Sequence, residues 1–92
     1  MNNHNPLEEF SLVIDPEVLP GNHLVVYNDD VNTFDFVIDS LIEVCNHERI
    51  QAEQCTFLIH YKGKCSVKDG DFSGLRPMCE ALLDRGLSAV IE

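Results

Sequence analysis

The sequence predicts an α+β fold: a two-layer βααβαβ domain with three helices packed on one face of a three-stranded sheet. Two observations predict it. Short β-rich runs and longer segments of helical periodicity follow one another in the order strand, helix, helix, strand, helix, strand. The chain has 92 residues, of which 45% are hydrophobic, so it can build one modest core. Elements in this order can bury their apolar faces as one layer of helices against one sheet.

Residues 1–22 are expected to form an extended, flexible N-terminal arm, and residues 23–92 the folded core domain. The arm holds three of the four prolines of the chain and has a Pro–Gly turn signal near its end. It also carries a short apolar run, FSLVI, which could dock locally. We therefore expect the first packed element to begin after this arm.

The domain is predicted to begin with a strand and a helix. The run HLVVY, residues 23–27, predicts a buried strand, and residues 28–32 follow it as a loop. From Thr33 apolar residues recur at helical spacing for about three turns, as far as Val44. Either Asn32 or Thr33 can supply the side-chain oxygen that caps the N-terminus of this helix.

A second helix is predicted from His47 or Glu48 through His60. Gly63 can end it in a left-handed conformation. The run KCSVK, residues 64–68, then predicts a strand.

The last part of the chain is predicted to hold a helix and a strand. KDGDFSG, residues 68–74, predicts a turn-rich connection. LRPMCEALLDRG, residues 75–86, predicts the third helix, with Pro77 in its first turn because proline lacks the N–H that later turns need. LSAVIE, residues 87–92, predicts a short final strand.

The charge of the chain narrows the class of partner. Sixteen acidic and six basic residues give a net charge of −10, which opposes binding to nucleic acid phosphates and to anionic lipid. A cationic partner is favoured instead. No apolar run approaches the roughly 20 residues of a membrane helix, and the N-terminus lacks the pattern of a signal peptide. We expect a cytoplasmic monomer that binds neither membrane nor nucleic acid.

The cysteines do not predict a metal site. Cys45, Cys55, Cys65 and Cys79 lie ten, ten and fourteen residues apart, without a C-x-x-C pair. In a reducing compartment such cysteines are expected to be small, mostly buried thiols rather than disulfides. The acidic DGD of residues 69–71 is too short to predict a calcium loop. No metal or other cofactor is expected.

Three consecutive polar residues, Asn28, Asp29 and Asp30, separate the first strand from the first helix. They can be turn residues, since Asn and Asp bond their own nearby backbone and are favoured before a helix. They can also form a cation site, because carboxylates and an amide carbonyl offer acceptors that suit an ammonium group. Local sequence leaves both interpretations open.

His60 also has two interpretations. It can be a packed or capping residue at the end of the second helix, or it can bind a ligand. With the carboxylates, or with Cys55 or Cys65 as a nucleophile, it could serve a small acid/base enzyme. Motifs such as G-x-S-x-G and HExxH are absent from the sequence, which disfavours an enzyme.

One family resembles this sequence. VVYNDDVNTFDFVIDSLIEV, followed at a fitting distance by AEQCTFLIHYKGK, resembles the ClpS family of adaptors of the bacterial Clp proteolytic machine. In that family an Asn-Asp-Asp triplet ends the first strand, and a His-x-x-Gly-Lys follows the second helix. The resemblance runs from about Leu24 to Lys64, and more loosely through GLSAVIE at the end.

The resemblance implies a non-enzymatic adaptor. It implies binding of the first residue of substrate proteins, typically Phe, Tyr, Trp or Leu, and delivery to a AAA+ unfoldase of the ClpA or ClpC type. The residues that it implies for the α-amino group and first backbone atoms are Asn28, Asp29, Asp30, Asn32 and His60. Those that it implies for the apolar pocket of the first side chain are Val26, Phe34, Val37, Thr56, Ile59 and Leu87.

The sequence departs from the family pattern at the pocket. Asn32 and Thr33 stand where the family often has Thr and Pro, while Phe34 and Thr56 each replace a methionine. Because methionine adapts to varied ligands, these replacements bear on which first residue is preferred. The segment between Lys64 and Leu87 is shorter than usual, so the unfoldase-docking surface carries over weakly. A rival is a domain of ribosomal-stalk architecture, which lacks both the Asn-Asp-Asp triplet and the histidine.

Overall fold

The structure, a computed structural model, describes residues 21–92. The predicted arm and its FSLVI run therefore lie outside the described residues, except for Gly21 and Asn22, and Asn22 is already the first residue of a strand. The predicted order of elements is confirmed, and the fold is α+β. The elements are β1 (Asn22–Tyr27), α1 (Phe34–Cys45), α2 (Arg49–Lys62), β2 (Lys64–Gly70), α3 (Phe72–Asp84) and β3 (Ser88–Ile91).

The three strands form an antiparallel sheet with β1 in the centre, in the order β2-β1-β3. Val26 of β1 pairs with Cys65 of β2 on one side and with Ala89 of β3 on the other. The central position explains why Leu24, Val25 and Val26 are all fully or almost fully buried. The end of β1 is therefore held on both sides, and it carries the loop that follows at a defined position.

The N-cap of α1 at Thr33 and the end of α2 at Gly63 are as predicted, whereas α2 begins at Arg49, one residue after the later of its two predicted starts. Thr33 is the N-cap of α1, and its Oγ1 accepts a hydrogen bond of 3.2 Å from the backbone N–H of Phe36. Asn46 ends α1 in a left-handed conformation with φ of 58°. Gly63 ends α2 with φ of 94°, and its N–H donates to the Ile59 carbonyl at 3.1 Å.

The third helix begins three residues earlier than predicted, and the turn-rich connection is reduced to one residue. Asp71 is its N-cap, because the Asp71 carboxylate accepts hydrogen bonds from the N–H of Gly74 at 2.9 Å and from the hydroxyl of Ser73 at 3.2 Å. The cap starts the helix at Phe72, so Pro77 is its sixth residue. The predicted first-turn position of Pro77 is wrong, and the helix lacks one backbone hydrogen bond there.

The core lies between the sheet and the helices, where Leu24, Leu41 and Leu82 have no exposed surface. Cys45, Cys65 and Cys79 are buried thiols, as predicted, while Cys55 is half-buried. Within residues 21–92, no helix combines the length and apolarity needed to cross a membrane.

Candidate functional site

A cavity of about 250 Å³ lies where the end of β1, the loop after it, the start of α1 and the second half of α2 meet. Segments that are distant in sequence contribute to it, since Leu87 joins it from the residue before β3. All eleven residues that the family resemblance implies as polar contacts or pocket residues line this cavity. They are Val26, Asn28, Asp29, Asp30, Asn32, Phe34, Val37, Thr56, Ile59, His60 and Leu87, and Tyr27 joins them.

The loop between β1 and α1 is organised by Asp29. Its Oδ1 accepts hydrogen bonds of 2.8 Å from the backbone N–H groups of Val31 and Asn32, and its Oδ2 accepts one of 2.8 Å from the Asn32 side chain. The backbone hydrogen bond from Asn32 is the largest cause that holds the pKa of the Asp29 carboxyl below its usual value. Asp29 is thus a turn residue and also a fixed negative charge at the cavity.

Asn32 ties this loop to the far end of the chain. The same amide nitrogen that donates to Asp29 also donates to the carbonyl of Gly86 at 2.9 Å. Because Gly86 directly precedes Leu87, this bond fixes the apolar wall relative to the acidic loop. Both protons of the Asn32 amide group are therefore engaged within the protein, and no hydrogen bond to its carbonyl oxygen occurs among the described residues.

The remaining polar groups face solvent. Asn28, Asp30 and His60 are exposed, and no hydrogen bond to the Asp30 carboxylate occurs among the described residues. The backbone N–H of Asn28 donates to the Gly63 carbonyl at 2.9 Å, which brings the loop beside the end of α2, where His60 lies. The rim of the cavity is consequently rich in acceptors that the fold itself leaves unused.

The interior of the cavity is apolar. Val26, Val37, Ile59 and Leu87 are buried, with 2%, 8%, 4% and 3% of their surfaces exposed. Thr56 is buried as well, and its hydroxyl donates to the Ala52 carbonyl one helical turn earlier, at 2.7 Å. Since that proton is already used, Thr56 does not offer a free donor to an apolar ligand.

Aromatic side chains form one wall of the entrance. The ring of Phe34 lies edge-on to Phe57 at 5.5 Å and to His60 at 5.2 Å between ring centres, and Tyr61 packs against both Phe57 and His60. His60 is exposed, so the interpretation as a packed core residue is wrong. Because rings on α2 hold Phe34 on two edges, its side chain has little freedom to swing away from the cavity.

Sequence reasoning missed Phe57, Tyr61 and Tyr27. The i, i+4 spacing of Phe57 and Tyr61 in a helix, with His60 between them, is a signal that could have placed them on one surface. For Tyr27 the sequence predicts only that it is the last residue of a strand. Its hydroxyl donates to the carboxylate of Glu92, a contact between residues at opposite ends of the domain.

The proposed pairing of a cysteine nucleophile with His60 does not occur. The Cys65 thiol instead donates a hydrogen bond to the carbonyl of Ser66 at 3.5 Å. His60 contacts aromatic rings. Among the described residues, no group of three or more His, Cys, Asp or Glu side chains is arranged to hold a metal ion.

The comparison with known families agrees with this geometry. A model of the family described as ATP-dependent Clp protease adaptor protein ClpS matches residues 20–89. A comparison with curated protein sequences gave no significant match. The family match covers the elements from β1 to α3, the first two residues of β3 and all residues that line the cavity. The chain therefore belongs to the ClpS family, the adaptor proteins of the ATP-dependent Clp protease.

Proposed function

We propose that this adaptor binds the first residue of substrate proteins, through its free α-amino group and its large apolar side chain. We further propose that it delivers them, without catalysing a reaction, to a Clp AAA+ unfoldase of the ClpA or ClpC type in the cytoplasm. The observation that carries the proposal is the direct adjacency of an acceptor-rich rim and a small apolar cavity. An N-terminal residue matches this arrangement, because its ammonium group and its side chain are attached to the same Cα atom.

The rim suits an α-ammonium group. A free α-amino group has a pKa of about 7.7 to 8.0, and carboxylates beside it favour its protonated form. Asp30 supplies a carboxylate that is free to accept, Asn28 supplies an amide carbonyl, and Asp29 adds a charge from a position fixed by the loop. An acetylated N-terminus loses its charge and keeps one of its three N–H donors, so it would be rejected along with internal amides.

The apolar cavity suits one side chain. Its volume of about 250 Å³ is below the roughly 300–1,000 Å³ of pockets that bury drug-sized ligands. Burial of a Phe or Leu side chain contributes roughly 1.5–3 kcal/mol. Val26, Ile59 and Leu87 supply the apolar surface for this contact. The charged rim restricts binding to a residue with a free α-amino group, which is the first residue of a chain.

His60 lies across the rim from the acidic loop. Its edge-on contacts with Phe34 and Tyr61 fix the plane of the imidazole. In this proposal His60 presents a ring nitrogen to the ligand, either as an acceptor to its ammonium group or as a donor to its first carbonyl. The aromatic contacts therefore position a polar group by means of apolar packing.

Chemical shift mapping tests the proposal. A short peptide with a free N-terminal Phe should perturb the resonances of Asn28 and His60, and the N-acetylated form of the same peptide should not. Ser73 of α3, far along the chain from the cavity residues, serves as an internal reference. Shifts confined to α3, or equal shifts with both peptides, would contradict N-terminal residue binding at this cavity.

A further inference from the structure

Two aromatic side chains of α2 lie just outside the cavity and are exposed to solvent. Phe57 and Tyr61 have 54% and 69% of their surfaces exposed, and neither lines the cavity. Isolated exposed apolar side chains are common on protein surfaces, whereas adjacent ones form a patch of the kind that marks binding sites. We call this pair of side chains the aromatic platform.

The aromatic platform is ordered by contacts within the pair and with the entrance of the cavity. The rings of Phe57 and Tyr61 are stacked, with their centres 5.4 Å apart and their planes inclined by 22°. The two residues are four positions apart in α2, so their side chains emerge from the same face of the helix. Phe57 also contacts Phe34 at 5.5 Å between ring centres, and Tyr61 contacts His60 at 4.7 Å. Because Phe34 and His60 line the cavity, the platform continues the surface of the cavity outward.

The proposed function sets the direction in which a substrate chain leaves the cavity. The ammonium group of the substrate is bound at Asp30 in the acidic loop, and His60 lies across the rim from this loop. A chain that begins at Asp30 and crosses the entrance therefore continues over His60. The next side chain beyond His60 on this path is Tyr61, which contacts His60 and stacks on Phe57.

The spacing of an extended chain places its third residue over the aromatic platform. Successive side chains of such a chain point to opposite sides, and each residue adds about 3.3 Å. When the first side chain enters the cavity, the second points away from α2, and the third points back toward it about 6.6 Å further along. The ring centres of Phe57 and Tyr61 lie 5.5 and 4.7 Å from the cavity-lining rings that they contact, within reach of a side chain at that position.

We propose that the aromatic platform binds the third residue of the substrate and favours an aromatic side chain there. This inference rests on the proposed function, since it requires the first residue to occupy the cavity. Aromatic side chains pack on one another by stacking or edge-on contact, and the exposed surfaces of Phe57 and Tyr61 are open to such a contact. A contact of this kind strengthens binding by roughly 2- to 12-fold. The adaptor would thus distinguish among substrates that share the same first residue.

Titration calorimetry with matched peptides tests the proposal. All peptides begin with a free N-terminal Phe, and they carry Ala-Ala, Ala-Phe or Phe-Ala at positions two and three. With the unmodified protein, the Ala-Phe peptide should bind roughly 2- to 12-fold more tightly than the Ala-Ala peptide. The Phe-Ala peptide should show a smaller gain, because its second side chain points away from α2.

Substitutions in the aromatic platform should remove the preference. In Phe57→Ala and in Tyr61→Ala, the ratio of the affinities for the Ala-Phe and Ala-Ala peptides should fall toward one. The ratio is the readout because both residues also contact rings of the entrance, so their loss can change the affinity for every peptide. Ile50→Ala is the matched control. Ile50 is 66% exposed on the same helix but about 10 Å from Phe57 along its axis, so this variant should keep the ratio of the unmodified protein.

Chemical shift mapping needs no variant, so it decides the matter even if a substitution unfolds the protein. The resonances that differ between the complexes with the Ala-Phe and Ala-Ala peptides should be those of Phe57 and Tyr61. Equal affinities for these two peptides, an equal gain from Phe at position two, or shift differences confined to other residues would overturn the proposal while leaving the proposed function in place. Failure of the Ala-Ala peptide to bind would contradict the proposed function itself, and the third-residue site with it.

Discussion

Replacing Asp30 by asparagine separates charge recognition from loop structure. Asp30 is exposed and its carboxylate accepts no hydrogen bond from the described residues, so Asp30→Asn should leave the stability of the fold within about 0.5 kcal/mol of the original. The asparagine keeps an acceptor oxygen but removes its charge, so a hydrogen bond to the ligand ammonium worth about 1.5–3 kcal/mol becomes one worth about 0.5–1.5 kcal/mol. Affinity for a peptide with a free N-terminal Phe should therefore fall roughly 5- to 12-fold.

The neighbouring residue is the matched comparison. Asp29 accepts three hydrogen bonds that hold the loop, so Asp29→Ala should weaken binding and also lower the free energy of unfolding, by about 1 kcal/mol for an exposed turn.

Two measurements on each variant decide between these roles. Titration calorimetry with the Phe-initiated peptide gives the affinity, and urea denaturation gives the free energy of unfolding. A normal affinity in Asp30→Asn would refute the assignment of this carboxylate to the ammonium group. A stability loss in Asp30→Asn as large as that in Asp29→Ala would refute the division of roles between the two residues.

Three further predictions follow from the same site and from the arm. Phe34 narrows the entrance of the cavity, so peptides that begin with Leu or Phe should bind more tightly than peptides that begin with Trp. Phe34→Met should improve the binding free energy of the Trp-initiated peptide by about 1–3 kcal/mol in calorimetry. If the unmodified protein bound the Trp-initiated peptide most tightly, Phe34 would not restrict the entrance. Deleting residues 1–20 should spare peptide affinity and slow substrate degradation by the Clp protease, and equal degradation rates would count against a delivery role for the arm. Because the pKa of Asp29 is lowered in the fold, its stabilising effect is present above the ordinary value of 3.8 and is lost as the pH falls through the lowered one. The amide resonance of Asn32 should accordingly titrate with a midpoint below 3.8, and a transition centred above that value would show that Asp29 lacks these bonds.

The order of the elements could be predicted because each carries a local signal. The β-rich run at 23–27, the apolar spacing after Thr33 and the glycine at position 63 all act within a few residues. The third helix shows where local reading fails. Asp71, Ser73 and Gly74 look like turn residues, yet the Asp71 carboxylate uses them to start a helix. The same residue types favour both outcomes, and packing of Leu75 into the core accompanies the helical one.

The membership of the cavity could be predicted only through the family resemblance, and its internal bonding could not be predicted at all. Asn32 donates to Gly86, 54 residues further along the chain, and no local pattern reports such a contact. Phe34 likewise meets Phe57 and His60 across two helices. These long-range contacts determine which polar groups form hydrogen bonds within the protein and which remain available to a ligand.

The central claim is that the acidic rim of the cavity binds a free α-amino group. Calorimetric titration of the unmodified protein with two peptides tests it most directly, where both peptides begin with Phe and differ only in acetylation of the N-terminus. The free peptide should bind, and acetylation should weaken binding by at least about 100-fold, since the charge and two of the three N–H donors are lost together. Equal affinity for the two peptides would contradict it.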